Sequence, residues 1–244
     1  MKTYMTQKLK FSDENAKLVN GQAIFSLPAG HSCPFAQDCL AFADRETGKV
    51  TDGPGTQFRC FAASGEAWAK NAREARWHNF DLLRAAKTRE AMASLIMASL
   101  PEASLYRIHA SGDFYSQAYF DAWMDVARAF PDRVFYAYTK AVKFWVNRLG
   151  SIPENMRLVA SYGGTHDKLI VEHKLKSAVV VDWPAQAEAM GLEIDHDDSH
   201  AWQGQSSFAL LVHGTQKAGS EAAKAWSAQR AERKAEKAAK ALAA

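Results

Sequence analysis

The chain of 244 residues has little proline (7) and little glycine (14), which excludes a fibrous or low-complexity protein. It has no run of about 18 apolar residues, so nothing in it reads as a membrane span. Residues 1–20 carry Lys2, Lys8, Lys10, Asp13 and Glu14, and no secretory apolar core is found there, so the expectation is a cytoplasmic protein. No phosphate-binding loop, nucleophile elbow, internal repeat or long linker occurs. An excess of charge of one sign is also nearly absent, 30 Lys and Arg against 27 Asp and Glu leaving +3 overall. From position 217 onward seven Lys or Arg face three Glu, so the last 28 residues hold +4 and the preceding 216 hold −1. The division expected is a body over 1–216 and a basic, alanine-rich helical tail over 217–244.

What is present begins with 48% apolar residues, enough for a full core at this length. Short β-branched or aromatic runs predict strands over 23–27, 105–110, 134–138, 156–161, 178–182 and 207–213. Apolar residues at helical spacing predict helices over 62–86 (with Trp68 on the buried stripe), 88–100 and 116–130. Shorter helices are expected over 142–149, 167–175 and 184–190. Strand and helix in alternation is the pattern of an α/β fold with a parallel sheet. The strands end in polar groups: His109, Ser111 and Asp113; Tyr138, Thr139 and Lys140; Ser161 and Tyr162; Asp182; His213. Convergence of strand ends on one face favours a partial or complete (β/α) barrel over an open doubly wound sheet.

Cysteine is the scarcest informative residue. Cys33, Cys39 and Cys60 are the only three, all within 28 positions. An odd count argues against a disulfide framework. They fall after the first strand and at the start of the first long helix, where a helix dipole favours a thiolate. Three thiolates can hold three irons of a [4Fe–4S] cluster and leave the fourth iron open. A Cys3His zinc site would need His31, His109 or His213, and three idle buried thiols are the plain alternative. His109 is read as a fourth ligand, a hydrogen-bonding neighbour of a cluster, or an ordinary core histidine. Strand alternation puts it on one side with Arg107 and Ser111. Ser111 and Asp113 are candidate ligand contacts, with Asp113 or Ser116 alternatively capping the next helix. Tyr138, Lys140 and Asp182 are expected to line the site, Lys140 towards an anion. The acidic stretch 195–200 reads as a solvated mobile loop, and Gly163–Gly164 as a weak ligand loop. Arg230, Arg233, Lys234, Lys237 and Lys240 share a helical face in the tail, which suits phosphate contact with nucleic acid or a solvated helix.

Four segments carry a resemblance: Phe25-Ser-Leu-Pro-Ala-Gly-His-Ser-Cys33 with Ala36 and Cys39, Arg59-Cys60-Phe-Ala, Arg107-Ile-His-Ala-Ser-Gly-Asp-Phe114, and Phe135-Tyr-Ala-Tyr-Thr-Lys140. Together, over about residues 22–214, they resemble the bacteriophage gene-product-eighty-eight family. This implies a phage- or prophage-encoded protein acting in a bacterial host. The layout is similar to radical SAM proteins, whose six-stranded partial barrel puts three cluster cysteines after the first strand. Their cysteines are spaced Cx3Cx2C, whereas here the spacing is Cx5C with a distant third. The resemblance implies a [4Fe–4S] cluster on Cys33, Cys39 and Cys60. It further implies S-adenosylmethionine near Ser111 and Asp113, with Tyr138, Lys140 and Asp182 around an unidentified small-molecule substrate. The competing expectations are a non-enzymatic iron–sulfur protein (redox, electron-transfer with a redox partner, or structural) and a zinc-stabilised accessory protein binding nucleic acid through its tail. Family members can carry cysteines near the C-terminus; 196–207 here has none.

Overall fold

The computed structural model describes residues 7–13 and 21–242; most of the segment read above for export, and the last two tail residues, lie outside them. Six parallel strands form one sheet: β1 (Ala23–Ile24), β4 (Leu105–Ile108), β5 (Val134–Thr139), β6 (Met156–Ser161), β7 (Ser177–Val181) and β8 (Phe208–Leu211). They lie side by side in chain order, each parallel to the next. The order never reverses, so there is no switch point of the doubly wound kind. The sheet curls into a half-barrel. All six strands expected from the sequence occur, and a hairpin not expected, β2 (Ala41–Ala43) with β3 (Val50–Asp52), folds inside the cysteine-bearing loop.

Alternation along the strands builds two cores. Tyr106 and Ile108 of β4, Phe135 and Ala137 of β5, and Met156 and Leu158 of β6 face the helices. There they meet α2 (Lys70–Ala86), α3 (Arg89–Ser99) and α4 (Gln117–Ala129). Phe25 and Trp123, both fully buried, meet edge to face with centroids 5.6 Å apart. The opposite, concave face carries Leu105, Tyr136, Val159, Ala178 and Phe208, and is filled by Ala201 and Trp202 of α8 (Ser199–Trp202). That short helix lies in the stretch between β7 and β8 expected to be loop.

The remaining helices are α1 (Phe61–Trp68), α5 (Val142–Val146), α6 (Lys168–Glu172), α7 (Pro184–Ala189) and α9 (Glu221–Leu242). The single helix expected over 62–86 is broken at Ala69, whose ψ of 78° leaves the helical region. Arg73 of α2 compensates by donating to the Glu66 carbonyl, which the break leaves open, and it also donates to the Arg45 and Glu46 carbonyls in the β2–β3 loop. Trp68 is therefore on the surface, 80% exposed, not on a buried stripe. Ser116 caps α4 by accepting from the Tyr119 amide at 3.2 Å, so the capping role falls to Ser116 and not to Asp113. The basic tail is not wholly solvated: Ala222 and Ala225 of α9 are buried against Val212. The Gln229 amide, 6% exposed, donates to the Asp182 carbonyl at 3.4 Å.

Candidate ligand cavity at the mouth of the half-barrel

The loop leaving β1 is folded on itself before it reaches the first cysteine. Ser32 returns its hydroxyl to the Pro28 carbonyl at 2.8 Å, and the Cys33 amide donates to Gly30. Cys39 is positioned from the far side of the sheet: the amides of Gln37 and Asp38 donate to the Gly163 carbonyl. Gly163–Gly164 is thus a bracket for the cysteine loop. A Cβ at Gly163, whose φ is +90°, would stand 2.9 Å from that of Asp38. Cys60 occupies the N-cap position of α1. The segment beside it is stitched to the chain's other end, where Gln216 accepts from the Arg59 amide at 2.7 Å and donates back to its carbonyl at 3.0 Å. The Ser64 hydroxyl adds a bond to the Thr215 carbonyl.

These loops surround a cavity of about 240 Å³ at the C-terminal ends of the strands, and all three cysteines line it. Ser111, Gly112 and Asp113 after β4, Tyr138, Thr139 and Lys140 from the end of β5, and Ser161 of β6 line it too, as do His109 and His213. Burial pushes the Cys33 thiol well up, with Asp113, Cys60 and Cys39 adding to it. Burial likewise lifts Cys39 to about 11, opposed by the Lys140 ammonium. Cys60 is raised by burial and drawn back by the first amides of α1. At neutral pH the three are thiols. Among the described residues, no group of three or more His, Cys, Asp or Glu side chains converges as a single metal ion requires.

The polar residues around the thiols are tied down. Asp113 accepts from Thr139 Oγ1 at 2.6 Å, the Lys140 amide at 2.8 Å and the Phe114 amide at 2.7 Å, joining the ends of β4 and β5. Burial nonetheless pushes its carboxyl up to about 6, against those three donors. Lys140 Nζ reaches Ser161 Oγ at 2.6 Å and the Tyr162 carbonyl at 2.5 Å. Ser111 turns its hydroxyl to Glu66 Oε1 at 3.2 Å. His109 has φ +66°, which breaks the strand alternation that would align it with Arg107 and Ser111. Its ring packs against Phe25, Phe114 and Tyr119, and Nε2 meets the Tyr119 hydroxyl at 2.9 Å. Burial lowers its pKa to about 3, and Nδ1 is buried without a partner. Asp182 is not among the residues that line this cavity; at that strand end the Gln229 amide of α9 donates to its carbonyl.

A family profile described as Gene product 88 matches residues 4–240. The chain belongs to the Gene product 88 family. The Gene 88 protein of Mycobacterium phage D29 is 36% identical over 125 residues, 47% of this chain and 45% of that protein. The Gene 88 protein of Mycobacterium phage L5 is 34% identical over 125 residues, 47% of this chain and 46% of that protein. The chain thus spans about half the length of the curated relatives it matches. No solved structure matches. No helix among the described residues is long and apolar enough to cross a membrane.

Two parts of this Gene product 88 structure were missed in the sequence. Glu66, with no exposed surface, accepts at Oε1 from the Ala29 amide (3.0 Å) and from Arg76 (2.6 Å) besides Ser111. It joins the cysteine loop, α2 and the end of β4. The signal was there: a carboxylate on the buried face of α1, beside Ala62 and Ala63. The second is the acidic stretch after β7, read as a solvated loop. Asp198, in the left-handed region at φ +67°, accepts from Arg107 at 2.6 Å and from the hydroxyls of Tyr136 (3.0 Å) and Tyr138 (3.2 Å). Arg107 is largely buried, so its charge requires that partner, and the stretch closes over the concave face as a strap. Asp195, His196 and Asp198 of the strap line the cavity.

Proposed function

We propose that the cavity holds a [4Fe–4S] cluster through Cys33, Cys39 and Cys60. One observation carries this reading: every cysteine in the chain, drawn from two separated loop segments, lines the same cavity. Soft thiolates select iron–sulfur clusters, zinc or Cu(I). A single zinc ion needs its ligands around one point, an arrangement not found among the described residues. A cube takes its thiolates on separate irons, so three sulfurs around one cavity suit it better. Loading would release the three thiol protons, and Lys140, the largest opposing charge at Cys39, would offset part of the charge left behind. Asp113 holds the ends of β4 and β5 in register beside the sulfurs.

When bound, such a cluster supplies one-electron chemistry, and a three-thiolate set leaves one iron for a further ligand. In the radical SAM-like form of the proposal, that ligand is S-adenosylmethionine, with Ser111, Asp113, Tyr138 and Lys140 forming the surrounding wall. The test is anaerobic purification with iron, sulfide and zinc analysis and visible and electron-spin spectroscopy. Stoichiometric iron and sulfide, lost in each of Cys33→Ser, Cys39→Ser and Cys60→Ser, is the result expected. Stoichiometric zinc without iron, or full iron in Cys60→Ser, overturns the proposal. Incubation of the loaded protein with S-adenosylmethionine and a strong reductant then separates two forms. Release of 5′-deoxyadenosine marks the enzyme; a cluster that neither releases it nor binds S-adenosylmethionine marks a redox, electron-transfer or structural protein.

A further inference from the structure

The tail helix α9 does more than follow the barrel. Its first turns are anchored across the mouth by Ala222, Ala225 and Gln229, and the Trp226 ring lies 6.5 Å from that of His213. One turn beyond Gln229, Arg233 lines the cavity. Its guanidinium stands 5.8 Å from the Trp226 ring, and it makes no ion pair with any carboxylate side chain that the structure describes.

The other cations of the cavity are committed. Arg59 makes two 2.7 Å bonds to Asp52, Arg107 is paired with Asp198, and Lys140 is held by the oxygens of Ser161 and Tyr162. The carboxylates are committed too: Asp113 has three donors, and the Asp195 side chain is only 1% exposed. The charge left open to an incoming molecule is that of Arg233. A planar guanidinium steadied on an indole keeps its N–H edge for a bidentate oxyanion.

We propose that Arg233 is the anion-recognition residue of this cavity, and that its ligand is a small molecule bearing a phosphate or carboxylate. The proposal rests on the reading of the cavity as a ligand site and needs no cluster. The experiment is calorimetric titration of the full-length protein, with and without bound iron, using inorganic phosphate and then acetate at matched ionic strength. Arg233→Ala is expected to weaken binding of the anion about tenfold, as loss of one charge-assisted contact implies, and Arg233→Lys to recover part of it. Arg230→Ala and Lys237→Ala, exposed on the same helix, are expected to change it less than about twofold, within the range of screened surface charges. Binding of one anion alone names the ligand's acidic group, and binding of both leaves the oxyanion class as stated. Binding of neither overturns the proposal. So does an Arg233→Ala titration matching the parent, or an equal loss in the two control variants, which would trace the effect to diffuse tail charge. Binding in an iron-free protein that cannot be loaded would sink the cluster reading and leave this one standing.

Discussion

Replacing Glu66 by alanine tests the internal support of the cysteine loops. Its side chain has no exposed surface, and Arg76, its ionic partner at 2.6 Å, is only 17% exposed. Removing one partner of a buried pair costs about 3–5 kcal/mol, because the other charge is stranded. Arg76 keeps a second bond, to the Ala62 carbonyl at 3.1 Å, which argues for the low end. The buried Ala29 amide and the Ser111 hydroxyl lose their acceptor as well, at roughly 1 kcal/mol or more. The loss expected is about 4–5 kcal/mol, or a drop in Tm of about 8–20 °C for a chain of this length. Urea denaturation and calorimetry of Glu66→Ala, Arg76→Met and the double variant measure it. The double variant should cost clearly less than the two single losses added, since it strands neither charge. A Glu66→Ala loss below about 1 kcal/mol, or strict additivity, would refute the view that this pair holds the loops together.

Gly112 carries a steric prediction. Its φ is +85°, and an added Cβ would meet Ser32 Oγ at 2.5 Å and Leu27 Cβ at 2.6 Å. Gly112→Ala should cost well over 2 kcal/mol, whereas Gly21→Ala, at φ +86° with nothing within 4 Å, should cost about 1 kcal/mol; equal losses in denaturant melts would remove the packing argument. His109, lowered to about 3 by burial, should show no ring titration by NMR between pH 8 and 5. Because its ordinary value is about 6.5, the unfolded chain takes up the proton first. Stability is therefore lost as pH falls below about 6.5 towards 3, by at most about 4–5 kcal/mol. An NMR pKa above 6 would contradict the packed, neutral ring.

The strands were legible because each is a β-branched or aromatic run closed by polar residues, and their alternation with helices pointed to a barrel-like sheet. Elements too short to show a period were not. β2 and β3 contribute three residues each, and Ala41-Phe-Ala43 offers no alternation of polarity. The break at Ala69 is stabilised by Arg73, whose partners at Arg45 and Glu46 lie in a different loop. The strap is the clearest case: Asp195-His-Asp-Asp198 has the composition of a solvated loop. What folds it is Arg107, Tyr136 and Tyr138 on strands far away in the chain. For the candidate site, the sequence pointed to the cysteines and to the residues after β4 and β5. It did not show that Ser111 and Asp113 hold the frame through Glu66 and Thr139, nor that α9 would bond to the Asp182 carbonyl.

The stitch between Arg59 and Gln216 joins positions 157 residues apart, and it sets an order of events in biogenesis. A ribosome adding about 5–20 residues per second exposes the loop around Cys60 on the order of ten seconds before Gln216 exists. During that interval the loop lacks its partner Gln216, and neither β8 nor α9 is there to shield the thiols. The cavity is consequently a late product of folding: it is completed only after β8 has been made, when Gln216 comes back to meet Arg59.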